Sequence, residues 1–117
     1  MRVKPQPTKW SKEFEVSCRH WQEKLGLTDW TLQFRVAHPK GEHEAEVHFD
    51  CESRHATVTA FVGVENALPA DRVGAHEMLH LLFADWEQAL KRRDAKGALR
   101  EEHRVVERLL NSAFGNP

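Results

Sequence analysis

Tyrosine is absent from this chain, so no site on it works through a phenolic hydroxyl. Cysteine is scarce, and the two present, Cys18 and Cys51, are too few for a disulfide framework. Cys18 falls on the apolar face of an expected helix and Cys51 in an expected strand. Both read as reduced packing residues of a cytosolic protein. No apolar run is long enough to span a bilayer. The opening Met1-Arg2-Val3-Lys4-Pro5-Gln6-Pro7 has basic residues but no apolar stretch behind them, so no signal peptide is expected. An excess of one charge is also missing. A net charge of −1 gives no global field to gather nucleic acid, and strong nucleic-acid binding is not expected. The short run Lys91-Arg92-Arg93 reads as a solvated helix face. There are no internal repeats and no low-complexity segments.

The composition, 40% hydrophobic and 30% charged, fits one soluble globular domain with a single core. Residues 1–8 read as a flexible lead, because Pro5 and Pro7 block regular pairing, and residues 9–117 as the domain. From Lys9 to Leu25, the residues Trp10, Phe14, Cys18, Trp21 and Leu25 recur at helical spacing, and Gly26 ends that helix. Trp30, Leu32, Phe34 and Val36 alternate with polar partners, the pattern of a half-buried strand. His38-Pro39-Lys40-Gly41 is a turn signal. A second strand is expected near Ala45 to Cys51, with Val47, Phe49 and Cys51 on one side. A third, rich in β-branched residues, is expected near Ala56 to Val64. Asn66 to Ala70 is a connection, with Pro69 just before a further helix.

The most informative stretch is Gly74-Ala75-His76-Glu77-Met78-Leu79-His80, a His-Glu-x-x-His sequence. On a helix, His76 and His80 leave one face a turn apart, a spacing that lets two imidazoles meet one Zn²⁺. Glu77, rotated roughly 100° from His76, reaches a water at the metal without ligating it, the place of a general base. The flanks suit a helix from Arg72 to Ala84, with Asp71 as its N-cap. Leu79, Leu81, Leu82 and Phe83 make it apolar nearly all round, so it should be buried. Buried histidines without partners are costly, and a metal satisfies them. The bland alternative is an ordinary helix carrying two partly exposed histidines.

Zinc needs a further protein ligand. A straight helix continuing to Lys96 would end about 24 Å beyond His80, which would leave a later ligand little way to return. A break near Ala84-Asp85 avoids this, with Asp85 as N-cap and Gln88 completing a capping box. A short helix from Trp86 to about Ala95 would follow, ended by Gly97. A last helix from about Ala98 to Ala113 would then run back beside the motif. Leu99, Val105, Val106, Leu109, Leu110 and Ala113 form its apolar stripe, which centres almost on Glu102. Glu101 lies roughly 115° from that centre, His103 about 85° and Glu107 well over 100°. A carboxylate in the middle of an apolar face is expensive unless paired or metal-bound. Glu102 is therefore the first candidate for third ligand and His103 the second, with Glu107 orienting a ligand from behind. The alternative for Glu102 is a salt bridge to Arg19, Arg54 or another base at the edge of the core.

In layout the chain resembles the compact zincin-fold metallopeptidases of the gluzincin kind, including the minigluzincin-like and putative phage metallopeptidases. The resemblance covers about Trp10 to Phe114, and only the motif is specific. It implies an α+β, minimal zincin-like fold: an N-terminal helix, a small, mostly antiparallel three-stranded sheet, the motif helix, and a C-terminal helix supplying the third ligand. It implies Zn²⁺ held by His76, His80 and Glu102, with Glu77 as catalytic base, and a peptide or protein substrate. Many gluzincins carry an acidic residue four positions after the ligand glutamate. Here that position is Val106, whereas His103 and Glu107 do have the spacing. The SprT-like zincins, similar in layout, use histidine as third ligand. Without tyrosine, the donor to the oxyanion falls to His55, Arg54 or His103. The resemblance also suggests that the third strand, around Ala60 to Gly63, is an exposed edge to which an extended peptide adds. The rival reading keeps the zinc site but makes the protein an interaction module without peptidase activity.

Overall fold

A computed structural model describes residues 4–63, 66 and 68–114, leaving aside the side chains of 89–99, 101, 112 and 113. The chain is α+β. Helix α1 (Lys9–Lys24) is followed by strands β1 (Thr31–Ala37), β2 (Ala45–Asp50) and β3 (His55–Phe61), then helices α2 (Ala70–Leu82) and α3 (Ala84–Phe114). The run Lys91-Arg92-Arg93, expected as a solvated face, lies outside the described side chains.

Both ends of α1 are closed by local chemistry. Ser11 N donates to Thr8 Oγ1, and Thr8 N donates to Ser11 Oγ, so two orphan amides at the start are satisfied reciprocally. At the other end Gly26 has φ 70, where a Cβ would be strained. There Gly26 N donates to Glu23 O and Leu27 N to Gln22 O. Between these caps the predicted stripe is in place, with Phe14 and Cys18 buried and Trp10, Trp21 and Leu25 packed around them. Burial pushes the Cys18 thiol far up, so it stays protonated and inert.

The sheet has the order β1-β3-β2, with β1 parallel to β3 and β2 antiparallel to it. The expectation of a mostly antiparallel sheet is therefore corrected to a mixed one. The tight connection from Asp50 to His55 makes a hairpin of β2 and β3, and β3 then slots between β2 and β1. Arg54 closes that turn at φ 55, and its guanidinium is held by Asp29 and Asp85 over the Trp30 ring. Cys51 lies in this turn, just past the end of β2, rather than in a strand.

The edge expectation is also overturned. Ala60 pairs with Val36 on one side and Ala45 on the other, so β3 is the central strand. Its Ala56, Val58, Ala60 and Phe61 are buried, and such a run of small and β-branched residues marks a covered strand. The edges are β1 and β2.

Helix α2 starts after Pro69, which caps it without a side-chain bond. Asp71, expected as N-cap, sits inside the first turn, where its Oδ1 accepts from Arg72 N at 2.9 Å. Its charge still suits the helix N-terminus. The helix is buried nearly all round and packs closely on α1. A Cβ on Gly74 would lie 2.4 Å from Ser17 Oγ and 2.6 Å from Ser17 Cβ, so glycine is what lets the two backbones meet.

The chain turns at Phe83, one residue before the expected break. Asp85 lies in the first turn of α3 and pairs with Arg54 instead of capping. Residues 84–114 are helical throughout, so the expected stop at Gly97 is absent. A single glycine costs a helix only about 1 kcal/mol relative to alanine, too little to end one anchored at both ends. The element is nonetheless not a straight rod. Glu87 and Glu102 both act on His80, whereas fifteen residues of straight helix would part them by about 22 Å. The helix therefore bends between them. Beyond the bend Glu102, Val106 and Leu110 face inward, while Val105 and Leu109 are 38% and 46% exposed. Val106 and Leu110 meet Ala75 and Leu79 in a second small core, which fixes this part of α3 against α2. No helix among the described residues is long and apolar enough to cross a membrane.

Candidate metal centre

His76 and His80 leave one face of α2 a turn apart, as the spacing predicts. Their ring centroids are 4.7 Å apart and their Nε2 atoms 3.0 Å apart. The other nitrogen of each ring is already engaged. His80 Nδ1 lies 2.9 Å from Glu102 Oε1, and His76 Nδ1 lies 2.9 Å from Glu107 Oε1. A carboxylate accepts, so each Nδ1 is the donor and each Nε2 presents a lone pair. Two lone pairs at that separation repel unless a proton or a metal cation sits between them. Two ligands of a tetrahedral zinc, each about 2.0–2.1 Å from the ion, stand about 3.3 Å apart, close to the spacing seen. The donor set thus fits a borderline-soft divalent ion such as zinc.

The third nitrogen donor comes from α3. His103 stacks 5.4 Å from His76 and 6.1 Å from His80, centroid to centroid. Donor atoms of His76, His80 and His103 all lie within 4.8 Å of one another, close enough to hold one metal ion. Glu102 is outside this group. It is wholly buried, as its place on the apolar stripe predicts, but its Oε1 is spent on His80. The base that pairs with it is His80, and neither Arg19 nor Arg54 meets it. Arg19 pairs with Glu15 and lies over Phe34, and Arg54 pairs with Asp29 and Asp85. Helical rotation locates Glu102 on the buried face correctly. What rotation leaves open is length: a histidine on the flank of the stripe comes together with the two motif imidazoles, while the carboxylate at its centre meets the back of a ring. The one signal for this in the sequence is the His103–Glu107 spacing.

Glu107 does a second job. Its Oε2 takes a 3.1 Å bond from Arg72 Nη2, and the same Nη2 donates to Asn111 Oδ1 at 2.9 Å. Arg72 is buried, so this guanidinium fixes the carboxylate that fixes His76. Neither motif nor periodicity singles out Arg72, and its place one turn before His76 is the only clue in the sequence.

Electrostatics separate the groups. Burial pushes His76 down to about 3, helped by the charges of His80, His103, Arg72 and His43, so its ring is neutral at any ordinary pH. Burial also pulls His80 down, but the Glu102 bond and the carboxylates of Glu77 and Glu87 outweigh it and hold His80 above its usual value. Burial raises Glu102, and the Glu87 carboxyl hydrogen-bonded to it raises it further against the opposing pull of His80. No N–H donor faces Glu102 Oε2 among the described residues. His80 and Glu102 are thus both raised, His80 by the carboxylates around it and Glu102 by burial and the Glu87 carboxyl.

Glu77 is only 6% exposed, and burial pushes it up to about 7 against the pull of His80. It lines both cavities that flank the histidines. One, of about 250 Å³, runs along β2 past Ala45, Val47 and Phe49 to His80 and Glu87. The other, of about 180 Å³, lies towards Leu68, Arg72 and Glu107. The edge strand beside the centre is therefore β2, not β3. Arg54 and His55, expected as possible oxyanion donors, line neither cavity.

No protein-family profile, curated protein or solved structure matches this chain.

Proposed function

We propose that the protein is a zinc-dependent metallopeptidase on a minimal zincin-like scaffold, with His76, His80 and His103 as metal ligands and Glu77 as general base. The observation that carries this reading is the pair of imidazole Nε2 atoms 3.0 Å apart, each ring backed by its own carboxylate. Three protein ligands rather than four is the pattern of a catalytic zinc centre. When bound, the metal supplies Lewis-acid polarisation of a carbonyl and acidifies water. The chain's own residues do the rest. Glu102 and Glu107 hold the two rings in the tautomer that offers Nε2. Glu77, raised towards neutrality, takes a proton from the attacking water and gives it to the departing amine as the C–N bond breaks.

The substrate class is an extended peptide or flexible segment. β2 has a free edge along one cavity, where a peptide gains backbone hydrogen bonds by adding a strand. The cavity walls carry Glu42, Glu44, Glu46 and Glu87, and their one arginine, Arg72, is tied to Glu107 and Asn111. Basic side chains near the scissile bond are favoured by that balance. A peptide-library cleavage profile, read for zinc-loaded wild type and Glu77→Gln, tests the proposal. Cleavage lost in the variant at equal zinc content supports it, and zinc binding without cleavage favours the interaction-module reading.

A further inference from the structure

We propose that His43 is a further catalytic residue of this site, donating a hydrogen bond to the carbonyl oxygen as it becomes an oxyanion; this rests on the peptidase reading. The two cavities meet over the histidines, and only His43, Ala45, His76, Glu77 and His103 line both. A carbonyl under attack must sit at that junction, within reach of Glu77. Of the five, Ala45 offers only backbone groups, which the edge strand gives to the backbone of an added peptide, His76 and His103 are the proposed metal ligands, and Glu77 is the base. His43 is the one side chain with an N–H to spare. It makes no hydrogen bond to a described side chain, and it stands exposed on the stretch between the Gly41 turn and β2. It lines the same two cavities as His76, which places the two rings near each other.

The competing donors are committed elsewhere. The chain has no tyrosine. Arg54 is held by Asp29 and Asp85, and Arg72 by Glu107 and Asn111. His43 also enters from the edge strand, the side from which a peptide laid along β2 would present its carbonyl. In the step itself, the water oxygen bonds to the carbonyl carbon and the π pair moves onto the carbonyl oxygen. Glu77 takes the water proton. The His43 N–H shortens its hydrogen bond to the new anion and keeps its proton. Because charge on that oxygen grows only as the bond forms, the contribution appears in kcat rather than in substrate binding.

The test compares wild type, His43→Gln, His43→Ala and Glu77→Gln, zinc-loaded, on one peptide cleaved by the wild type. Zinc content, Tm and affinity for a phosphonate peptide analogue with a tetrahedral anionic group are measured alongside. The expected result is a kcat fall on the order of 100-fold in both His43 variants, with KM, zinc content and Tm unchanged. Affinity for the analogue falls in step with kcat/KM. A kcat within about twofold of wild type, with Glu77→Gln inactive, overturns the role of His43 and leaves the peptidase reading standing. Loss of zinc in the His43 variants overturns it too, by making His43 a fourth ligand. Failure of the wild type to cleave any peptide removes both proposals.

Discussion

His80 Nδ1 lies 2.9 Å from Glu102 Oε1, at the centre of a contact that has no solvent around the carboxylate. The bond does two things at once. It turns the His80 Nε2 lone pair towards His76, and it raises the proton affinity of the ring.

Metal affinity should therefore depend on pH through His80. Because its pKa is raised, protons compete for the ring from above the ordinary histidine value downward. Zinc affinity should be full on the alkaline side and weaken as pH falls through that value, whereas His76, held near 3, adds no competition there. Glu102→Gln should weaken zinc binding about 10–100-fold at pH 8 and move the acid-side decline to lower pH. Zinc titrations with a chelator indicator from pH 5.5 to 8.5 measure both. An unshifted decline would mean that Glu102 does not set the affinity of His80 for protons.

The ligand assignment predicts different outcomes for neighbouring residues. His103→Gln should lose zinc on dialysis, as should His80→Ala, while Glu102→Gln retains it with lower affinity. Arg72→Met should behave like a weak form of Glu107→Gln, each loosening zinc about tenfold or somewhat more through the orientation of His76. Metal content by mass spectrometry of the dialysed proteins checks the series.

The place of His103 also marks the limit of what the sequence makes legible. The helix α1, the half-buried strand from Thr31, the motif helix and the inward face of Glu102 all follow from periodicity, with Gly26 marking the end of α1, because each depends on neighbours within a few turns. The strand order does not. Nothing local in residues 55–61 says that β3 lies between β2 and β1, although its unbroken small and apolar run is the trace of a covered strand. The choice between Glu102 and His103 stays open in the sequence for a related reason. Helical rotation tells which face turns inward, but whether a side chain meets the ion or the back of a ligand depends on how deep α3 sits against α2. The contacts of Val106 and Leu110 with Ala75 and Leu79 decide that depth.

Glu77 should cost the metal-free protein stability. Its folded pKa of about 7 lies above the usual 4.5, so the stability it contributes is present below 4.5 and is lost as pH rises through 7. Glu77→Gln should accordingly stabilise the metal-free chain at pH 8, on the order of 1–3 kcal/mol, with the gain vanishing near pH 4.5. Urea unfolding of both proteins with chelator at several pH values measures this. Equal stability at pH 8 would show that Glu77 is not desolvated.

Gly74 should tolerate no side chain. Gly74→Ala gains helix propensity of about 1 kcal/mol but drives a methyl group into Ser17, and the overpacking should win by about 2 kcal/mol. That corresponds to a Tm lower by roughly 10 °C. Adding Ser17→Gly should recover part of the loss, since the closest contacts are with that side chain. Thermal unfolding of the single and double variants tests the coupling.

The most direct measurement for the account as a whole is hydrolysis of a peptide library by the zinc-loaded protein, set against Glu77→Gln with the same zinc content. Cleavage by the wild type, absent with chelator and reduced by a factor of about 100 or more in the variant, is the predicted result. Zinc held by the three histidines with no cleavage in either protein would contradict it.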